Sequence, residues 1–100
     1  MTYCFDLDGT LCTQVDSLDY SQAKPFPDRI LKVNELYDKG NQIIIESARG
    51  RATSKYWIEV TIDQLEKWGV KYHSLRTGWK VAADMYIDDK AIHSDIFFKK

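Results

Sequence analysis

The sequence predicts an α/β fold, a mostly parallel sheet of about four strands with helices on both faces. Short apolar runs alternate with amphipathic helical segments in the order β-α-β-α-β-loop-β, the alternation that builds a parallel sheet. The composition, 44% hydrophobic and 29% charged, is typical of a globular protein. A length of 100 residues allows one domain and argues against two, so residues 1–100 are predicted to form a single domain.

Four short apolar segments are the predicted strands. Residues 3–7 form a mainly apolar run that suits a central parallel strand. Residues 42–46 are rich in β-branched side chains and predict the second strand. Residues 70–75 predict a third, more exposed strand, and residues 85–87 predict a fourth.

Two segments carry the signals of helices. The first helix is predicted over residues 28–39, because Pro27 suits its start and Gly40 its end. The second is predicted over residues 53–68, with Gly69 at its end. Each places apolar side chains three and four residues apart, so each has one face to bury against the sheet.

Charge, hydropathy and cysteine content exclude several classes of protein. Fourteen Lys and Arg against fifteen Asp and Glu leave a net charge of -1, so nucleic acid is not an expected partner. No apolar run approaches the roughly 20 residues of a membrane span, and membrane partners are not expected. The N-terminus lacks a basic region and has an early acid, unlike a secretion signal. The cysteines Cys4 and Cys12 cannot form a disulfide scaffold, which favours the cytoplasm.

Polar side chains follow three of the predicted strands. Asp6 and Asp8 end the first strand, Ser47 follows the second, and Asp88 and Asp89 follow the fourth. In parallel sheets, the functional site lies beyond the carboxyl ends of the strands. Several carboxylates in one pocket repel one another, and a hard divalent cation relieves the repulsion. The four aspartates therefore predict a Mg²⁺ site.

A phosphate group fits this set of residues. Mg²⁺ binds a phosphate oxygen and neutralises its charge. Ser47 and Lys80 are expected to hold the remaining phosphate oxygens. Lys90 directly follows Asp89 and is the alternative to Lys80.

Four segments match the motifs of a known superfamily. They are Phe5-Asp6-Leu7-Asp8-Gly9-Thr10-Leu11, with the pattern DxDGT, the hydrophobic strand Ile43-Ile44-Ile45-Glu46-Ser47, Lys80, and Tyr86-Ile87-Asp88-Asp89-Lys90-Ala91. The chain resembles the haloacid dehalogenase (HAD) superfamily in this order of motifs, across residues 3–91. The resemblance implies a minimal Rossmann-like core and an enzyme, a phosphoric monoester hydrolase.

A narrower resemblance concerns the second and fourth motifs. Ser47-Ala48-Arg49-Gly50 together with Tyr86-Ile87-Asp88-Asp89-Lys90-Ala91, in a short chain, resembles the small capless phosphatases of capsule and surface-polysaccharide gene clusters. Residues 11–27 and 76–84 fill the positions where relatives insert a cap domain, and both are too short for one. The resemblance therefore implies an open site that acts on a phosphorylated sugar or glycan intermediate.

The resemblance implies a role for each aspartate. Asp6 is the expected nucleophile, which forms an aspartyl-phosphate, and Asp8 is the expected general acid and base. The backbone carbonyl of Asp8 also binds Mg²⁺. Asp88 binds the metal directly, and Asp89 orients another of its ligands.

The remaining site residues are expected to contact the phosphate. Ser47 donates a hydrogen bond to it, Lys80 neutralises its charge, and the backbone N–H groups around Leu7 and Ala48 contact its oxygens. Arg49 either binds a substrate anion or lies in a solvated basic loop.

Four further predictions concern the orientation of one side chain, two alternative functions and the association of chains. Strand alternation points Glu46 away from Ser47. A nucleotide or nucleic-acid-end phosphatase is the alternative enzyme, with a basic and aromatic groove begun by Arg49, Arg51, Lys55 and Trp79. A non-catalytic phosphoryl-binding module is the alternative outside enzymes. An exposed sheet edge predicts pairing between copies of the chain.

Overall fold

The computed structural model describes residues 1–15, 19–49, 54–77 and 83–99, and for residues 54–56 the backbone alone. Its elements follow in the order β1 (Thr2–Asp6), a 3-10 turn (Tyr20–Gln22), α1 (Pro27–Asp38), β2 (Gln42–Ser47), α2 (Ser54–Lys67), β3 (Ser74–Thr77) and α3 (Ser94–Phe97). The α/β class, the first two strands and both main helices agree with the sequence-based expectation to within about two residues at each end.

The described strands form one parallel sheet in the order β1-β2-β3. The register pairs Phe5 with Ile45, and Ser47 with Thr77. Parallel pairing in this register brings the carboxyl ends of all three strands to the same edge of the sheet. The residues that directly follow β1 and β2 are therefore neighbours in space.

The third strand begins later than residues 70–75 predict. The chain leaves α2 through Gly69, and the backbone N–H of Val70 donates to the carbonyl of Leu65 at 2.9 Å. Val70 is buried there as part of the core. Val70 closes the end of the helix and fills the core, whereas Lys71 and His73 are exposed. The His73 N–H donates to the carbonyl of Ile43 at 2.8 Å, and the strand register with β2 begins at Ser74.

In the described part of the chain, both main helices pack on one face of the sheet, so the prediction of helices on both faces is not confirmed. Phe5, Ile43 and Ile45 are buried in one cluster with side chains of both main helices. Cys4 points to the opposite face and is exposed. Right-handed crossovers in a sheet that grows in one direction, from β1 to β3, place both helices on the same side.

The predicted fourth strand is not confirmed. Within the described part of the chain, residues 85–87 pair with no strand, and Met85 and Ile87 are 74% and 92% exposed. A run of three apolar residues has strand propensity, but an unpaired strand gains no hydrogen bonds, so propensity alone does not place it in a sheet.

The C-terminal segment returns to the core at α3. Phe97 and Phe98 pack against Phe5, with ring centroids 5.7 Å and 5.9 Å away. Arg29 of α1 pairs with Asp95 at 2.6 Å. Among the described residues, no helix is long and apolar enough to cross a membrane.

Candidate functional site

The site is built on the tight loop that follows β1. The backbone N–H of Leu7 donates to the carbonyl of Glu46 at 3.1 Å, which continues the pairing of β1 with β2 by one residue. The chain then turns, and the N–H groups of Thr10 and Leu11 both donate to the carbonyl of Leu7, at 3.1 Å and 2.8 Å. Gly9 has a φ of 83°, a left-handed conformation that other residues rarely adopt. This turn fixes Asp6 and Asp8 at the carboxyl edge of the sheet.

Asp6 is held by the turn that follows it. The Thr10 hydroxyl donates to Oδ2 of Asp6 at 3.2 Å. The turn at Gly9 makes this contact possible because it folds Thr10 back over the end of the strand. The Asp6 side chain is half-buried, so it is oriented by the fold and still reached from solvent.

Asp8 forms a two-pronged ion pair with Arg49. Nε of Arg49 lies 2.9 Å from Oδ2 of Asp8, and Nη2 lies 2.8 Å from Oδ1. The Arg49 side chain is 0% exposed and that of Asp8 is 12% exposed. Two parallel charge-assisted hydrogen bonds fix both the distance and the plane of the carboxylate.

The other donors of Arg49 point into α2. Nη1 donates to the Thr61 hydroxyl at 3.1 Å and to the side-chain oxygen of Gln64. The guanidinium carbon also lies 4.9 Å from the ring centroid of Tyr20. Gln64 in turn donates to the backbone carbonyl of Tyr20 at 2.8 Å. One buried side chain therefore connects the ends of β1 and β2 with α2 and the 3-10 turn.

Cys12 completes this buried cluster. Its Sγ lies 3.4 Å from Oδ1 of Asp8. Burial raises the pKa of the Cys12 thiol to about 12, and the negative charge of Asp8 adds to the effect, while Arg49 opposes it. The protonated thiol acts as a small core side chain that donates to Asp8.

Ser47 and Ala48 lie beside the loop, at the end of β2. Ser47 is 1% exposed, and its Oγ accepts a hydrogen bond from the backbone N–H of Arg49 at 3.0 Å. Ala48 is exposed. Because Asp6 pairs in register with Glu46, the residue before Ser47, the end of β2 adjoins the candidate nucleophile.

Glu46 points away from Ser47, as strand alternation predicts. Ser47 is on the buried face, whereas the Glu46 carboxylate lies 3.8 Å from Sγ of Cys4 on the uncovered face. Asp6 is the register partner of Glu46, so both side chains leave the sheet on the same face. Alternation along one strand does not identify the residue on the neighbouring strand, and the register shows that Glu46 lies beside Asp6.

The structure does not gather the four aspartates that were expected to bind a metal. Asp88 and Asp89 lie on the exposed segment after residue 83, and the Asp88 carboxylate accepts a hydrogen bond from the N–H of Lys90 at 2.6 Å. Nowhere in the described ranges do three or more His, Cys, Asp or Glu side chains come close enough to hold a metal ion. The physical reason is that residues 85–87 pair with no strand in the described part of the chain, so Asp88 is not brought to the carboxyl edge of the sheet. The donor set in this arrangement does not fit Mg²⁺.

Part of the expected site lies outside the described residues. Lys80, Trp79 and Arg51 are in this group, as is the side chain of Lys55. The alternative cation, Lys90, is exposed on the same segment as Asp88.

The sequence indicates that Arg49 is near the site, but it does not indicate that the side chain is buried. An arginine that binds a substrate anion is expected to be exposed, whereas this one is buried against Asp8. Thr61 offered a signal, because it stands in the apolar stripe of the second helix and a buried hydroxyl needs a partner. The sequence could not show that the partner is 12 residues away in the chain.

Comparison with solved structures supports the fold. The chain is similar to a protein from Vibrio cholerae whose crystal structure is known, with a TM-score of 0.84 and 28% identity over 99% of this chain and 88% of that one. It is also similar to a chain in the structure of a Pnkp1/Rnl/Hen1 complex, with a TM-score of 0.62 and 22% identity. That match covers 99% of this chain but 33% of the other, and at this identity it shows the fold alone. No family model and no curated protein matches the chain.

Proposed function

We propose that the chain is a phosphatase that hydrolyses phosphate monoesters through an aspartyl-phosphate on Asp6. The proposal rests on the observation that Asp6, at the end of β1, and Asp8, in the loop that follows, have different partners. Thr10 holds Asp6, and Arg49 holds Asp8. Two carboxyl groups in different surroundings can take different roles, one as the nucleophile and the other as the acid and base. The resemblance of this loop to the first HAD motif supports the same assignment.

In the first proposed step, a carboxylate oxygen of Asp6 attacks the phosphorus of the substrate. The bond between phosphorus and the leaving oxygen breaks, and Asp8 donates a proton to that oxygen, so this step starts from the protonated acid and not from the ion pair with Arg49. The half-buried Asp6 is oriented by Thr10, so the attacking oxygen is positioned before the substrate binds.

In the second step, a water molecule attacks the phosphorus of the aspartyl-phosphate. Asp8, now a carboxylate, takes a proton from the water as the bond between phosphorus and Asp6 breaks. Phosphate leaves, and both aspartates return to their starting states. The two steps need a single acid and base because the proton given in the first is regained in the second.

Other residues are proposed to bind the phosphoryl group. Ser47 donates from its hydroxyl, and the N–H of Ala48 lies on the adjoining exposed turn. Lys80 is proposed to balance the negative charge of the phosphate, with Lys90 as the alternative. The requirement for Mg²⁺ stays a prediction, and no step is assigned to the metal because the described carboxylates do not gather around one point.

The proposed substrate is a phosphorylated sugar or glycan intermediate of surface-polysaccharide synthesis. The narrower resemblance of the second and fourth motifs supports this class. A nucleotide or the phosphorylated end of a nucleic acid is the alternative substrate, and a phosphoryl-binding module without turnover is the alternative outside enzymes.

A substrate panel with matched variants tests the proposal. Sugar phosphates, nucleotides and oligonucleotides with 3′- or 5′-phosphates are incubated with the wild type, Asp6→Asn and Asp63→Asn, each with Mg²⁺ and with EDTA. Asp63 is an exposed residue of α2, so Asp63→Asn controls for the loss of one carboxylate. We expect Asp6→Asn to lose turnover by a factor of at least about 10³, since it removes the nucleophile. Asp63→Asn should match the wild type.

Each outcome favours one reading. Full turnover by Asp6→Asn would contradict the aspartyl-phosphate. Phosphate binding without turnover on any substrate would favour the binding module, and preference for oligonucleotides would favour the alternative enzyme. Turnover that persists undiminished in EDTA would remove the predicted role of Mg²⁺.

A further inference from the structure

We propose that Arg49 is a positioning residue that holds Asp8 in place for proton transfer and does not bind the substrate. This inference rests on the proposed function, because it assigns Asp8 the role of acid and base. It replaces the expectation that Arg49 contacts a substrate anion.

The donors of Arg49 are engaged within the fold. Nε and Nη2 donate to the two carboxylate oxygens of Asp8, at 2.9 Å and 2.8 Å. Nη1 donates to Thr61 and Gln64 of α2. Since each of the three guanidinium nitrogens has a partner and the side chain is 0% exposed, a substrate anion would have to break the ion pair to reach it.

Asp8 is the less buried partner of the ion pair. Its side chain is 12% exposed while that of Arg49 is completely buried. A substrate that approaches from solvent therefore meets the Asp8 side chain before the guanidinium. The two-pronged contact fixes the plane of the carboxylate.

The ion pair suits the chemistry that Asp8 is proposed to perform. Asp8 becomes a carboxylate when it gives its proton to the leaving oxygen, and the same carboxylate then takes a proton from water. Arg49 stabilises this charged form at the point between the two steps. Misplacing a catalytic group by about 1 Å can slow a reaction by about 10²-fold.

The position of Arg49 depends on two other elements. Thr61 and Gln64 fix Nη1 from α2, and the Tyr20 ring lies on the guanidinium from the 3-10 turn. Helix α2 and this turn thereby set where Asp8 points. A change at Thr61 should reach Asp8 through Arg49.

The test compares Arg49→Lys with the wild type on two kinds of monoester. Lysine keeps the charge but cannot form the two-pronged contact. On an alkyl phosphate, whose leaving oxygen needs a proton, we expect kcat to fall by about 10- to 100-fold with KM within about threefold. On p-nitrophenyl phosphate, which leaves without a proton, we expect a burst of nitrophenol followed by slow turnover, because only the second step still needs Asp8.

Two further variants separate positioning from folding. Thr61→Val removes one Nη1 partner and should show the same kcat effect to a smaller degree. Arg76→Lys changes an exposed arginine of β3 and should match the wild type. The melting temperature of each variant is measured first. The burst and the KM are then measured at a temperature at which every variant is folded.

The outcomes are distinguishable from failure of the proposed function. If the wild type is active and Asp6→Asn is not, but Arg49→Lys has unchanged kcat or raises KM alone, Arg49 binds substrate or has a structural role, and the inference is overturned. If the wild type hydrolyses no monoester, or Asp6→Asn remains active, the proposed function fails first and the role of Arg49 fails with it.

Discussion

At the residue scale, the buried ion pair between Arg49 and Asp8 is the feature that most constrains the site. Removing one partner of such a pair leaves an uncompensated buried charge, which typically costs about 3–5 kcal/mol of stability. A loss of activity in Arg49→Ala could therefore result from unfolding as well as from a misplaced Asp8. The conservative Arg49→Lys keeps the charge, and for this reason it is the variant that can report on catalysis.

Cys12 gives a prediction that needs no substrate. Burial and Asp8 raise the pKa of this thiol from 9.0 to about 12, so the folded state holds the proton more tightly than the unfolded state. Its contribution to stability is fully present below pH 9 and is lost as the pH rises from about 9 to 12. We expect the free energy of unfolding to fall more steeply over this range in the wild type than in Cys12→Ala, as measured by urea denaturation.

Alkylation of the native protein provides an independent check on Cys12. Iodoacetamide at pH 8 should modify the exposed Cys4 and leave Cys12 unmodified, since the thiolate is the reactive form. In urea, both should react. Equal modification of the two cysteines in the folded protein would contradict the burial and the raised pKa of Cys12.

At the element scale, α3 is attached to β1 by aromatic contacts. The Phe97 ring packs 5.7 Å from Phe5 and 6.1 Å from Tyr3, whereas Ile96 in the same short helix is 63% exposed. We expect Phe97→Ala to reduce the free energy of unfolding by about 1–3 kcal/mol. Ile96→Ala should change it by less than about 0.5 kcal/mol. Equal effects in urea denaturation would mean that α3 does not depend on these contacts.

The elements also show how far the sequence could predict the fold. Helix α1 was predictable because Pro27 and Gly40 mark its ends locally, and β2 because its β-branched run is long enough. The beginning of β3 depends on where Val70 packs, which is a tertiary fact. The segment 85–87 has strand propensity, but no local signal states whether a neighbouring strand is there to pair with it.

The candidate site also has residues whose positions could be predicted from the sequence and residues whose positions could not. The loop that carries Asp6 and Asp8 lies beside the end of β2 because the two strands are parallel neighbours, and this rule can be applied to a sequence. The register then places the side chains of Asp6 and Ser47 on opposite faces of the sheet. The partner of Asp8 could not be predicted, because it depends on how Arg49 turns at the end of β2 and meets α2. Charge and exposure statistics favour a solvated arginine, and a buried one requires contacts from several elements at once.

At the scale of the whole molecule, β1 and β3 are the edge strands of the described sheet, and neither pairs with a further described strand. Met85, Ile87 and Ile92 add exposed apolar surface, at 74%, 92% and 59% exposure. Unpaired strand edges and contiguous apolar surface favour association between chains. We therefore keep the prediction of a homo-oligomer. Sedimentation equilibrium should give at least twice the 11.7 kDa of one chain, and a single-chain mass at all concentrations would contradict it.

The central claim is that Asp6 carries the phosphoryl group, and trapping the covalent intermediate tests it most directly. Asp8→Asn, whose folding is first checked by circular dichroism because it leaves the buried Arg49 charge unpaired, is mixed with p-nitrophenyl phosphate, quenched in acid and digested. The phosphorylated peptide is identified by mass spectrometry. Because Asp8→Asn lacks the base for the second step, we predict phosphate on Asp6, released by hydroxylamine as an acyl phosphate should be. Phosphate on another residue, or nitrophenol released with no covalent phosphate in the protein, would contradict the account.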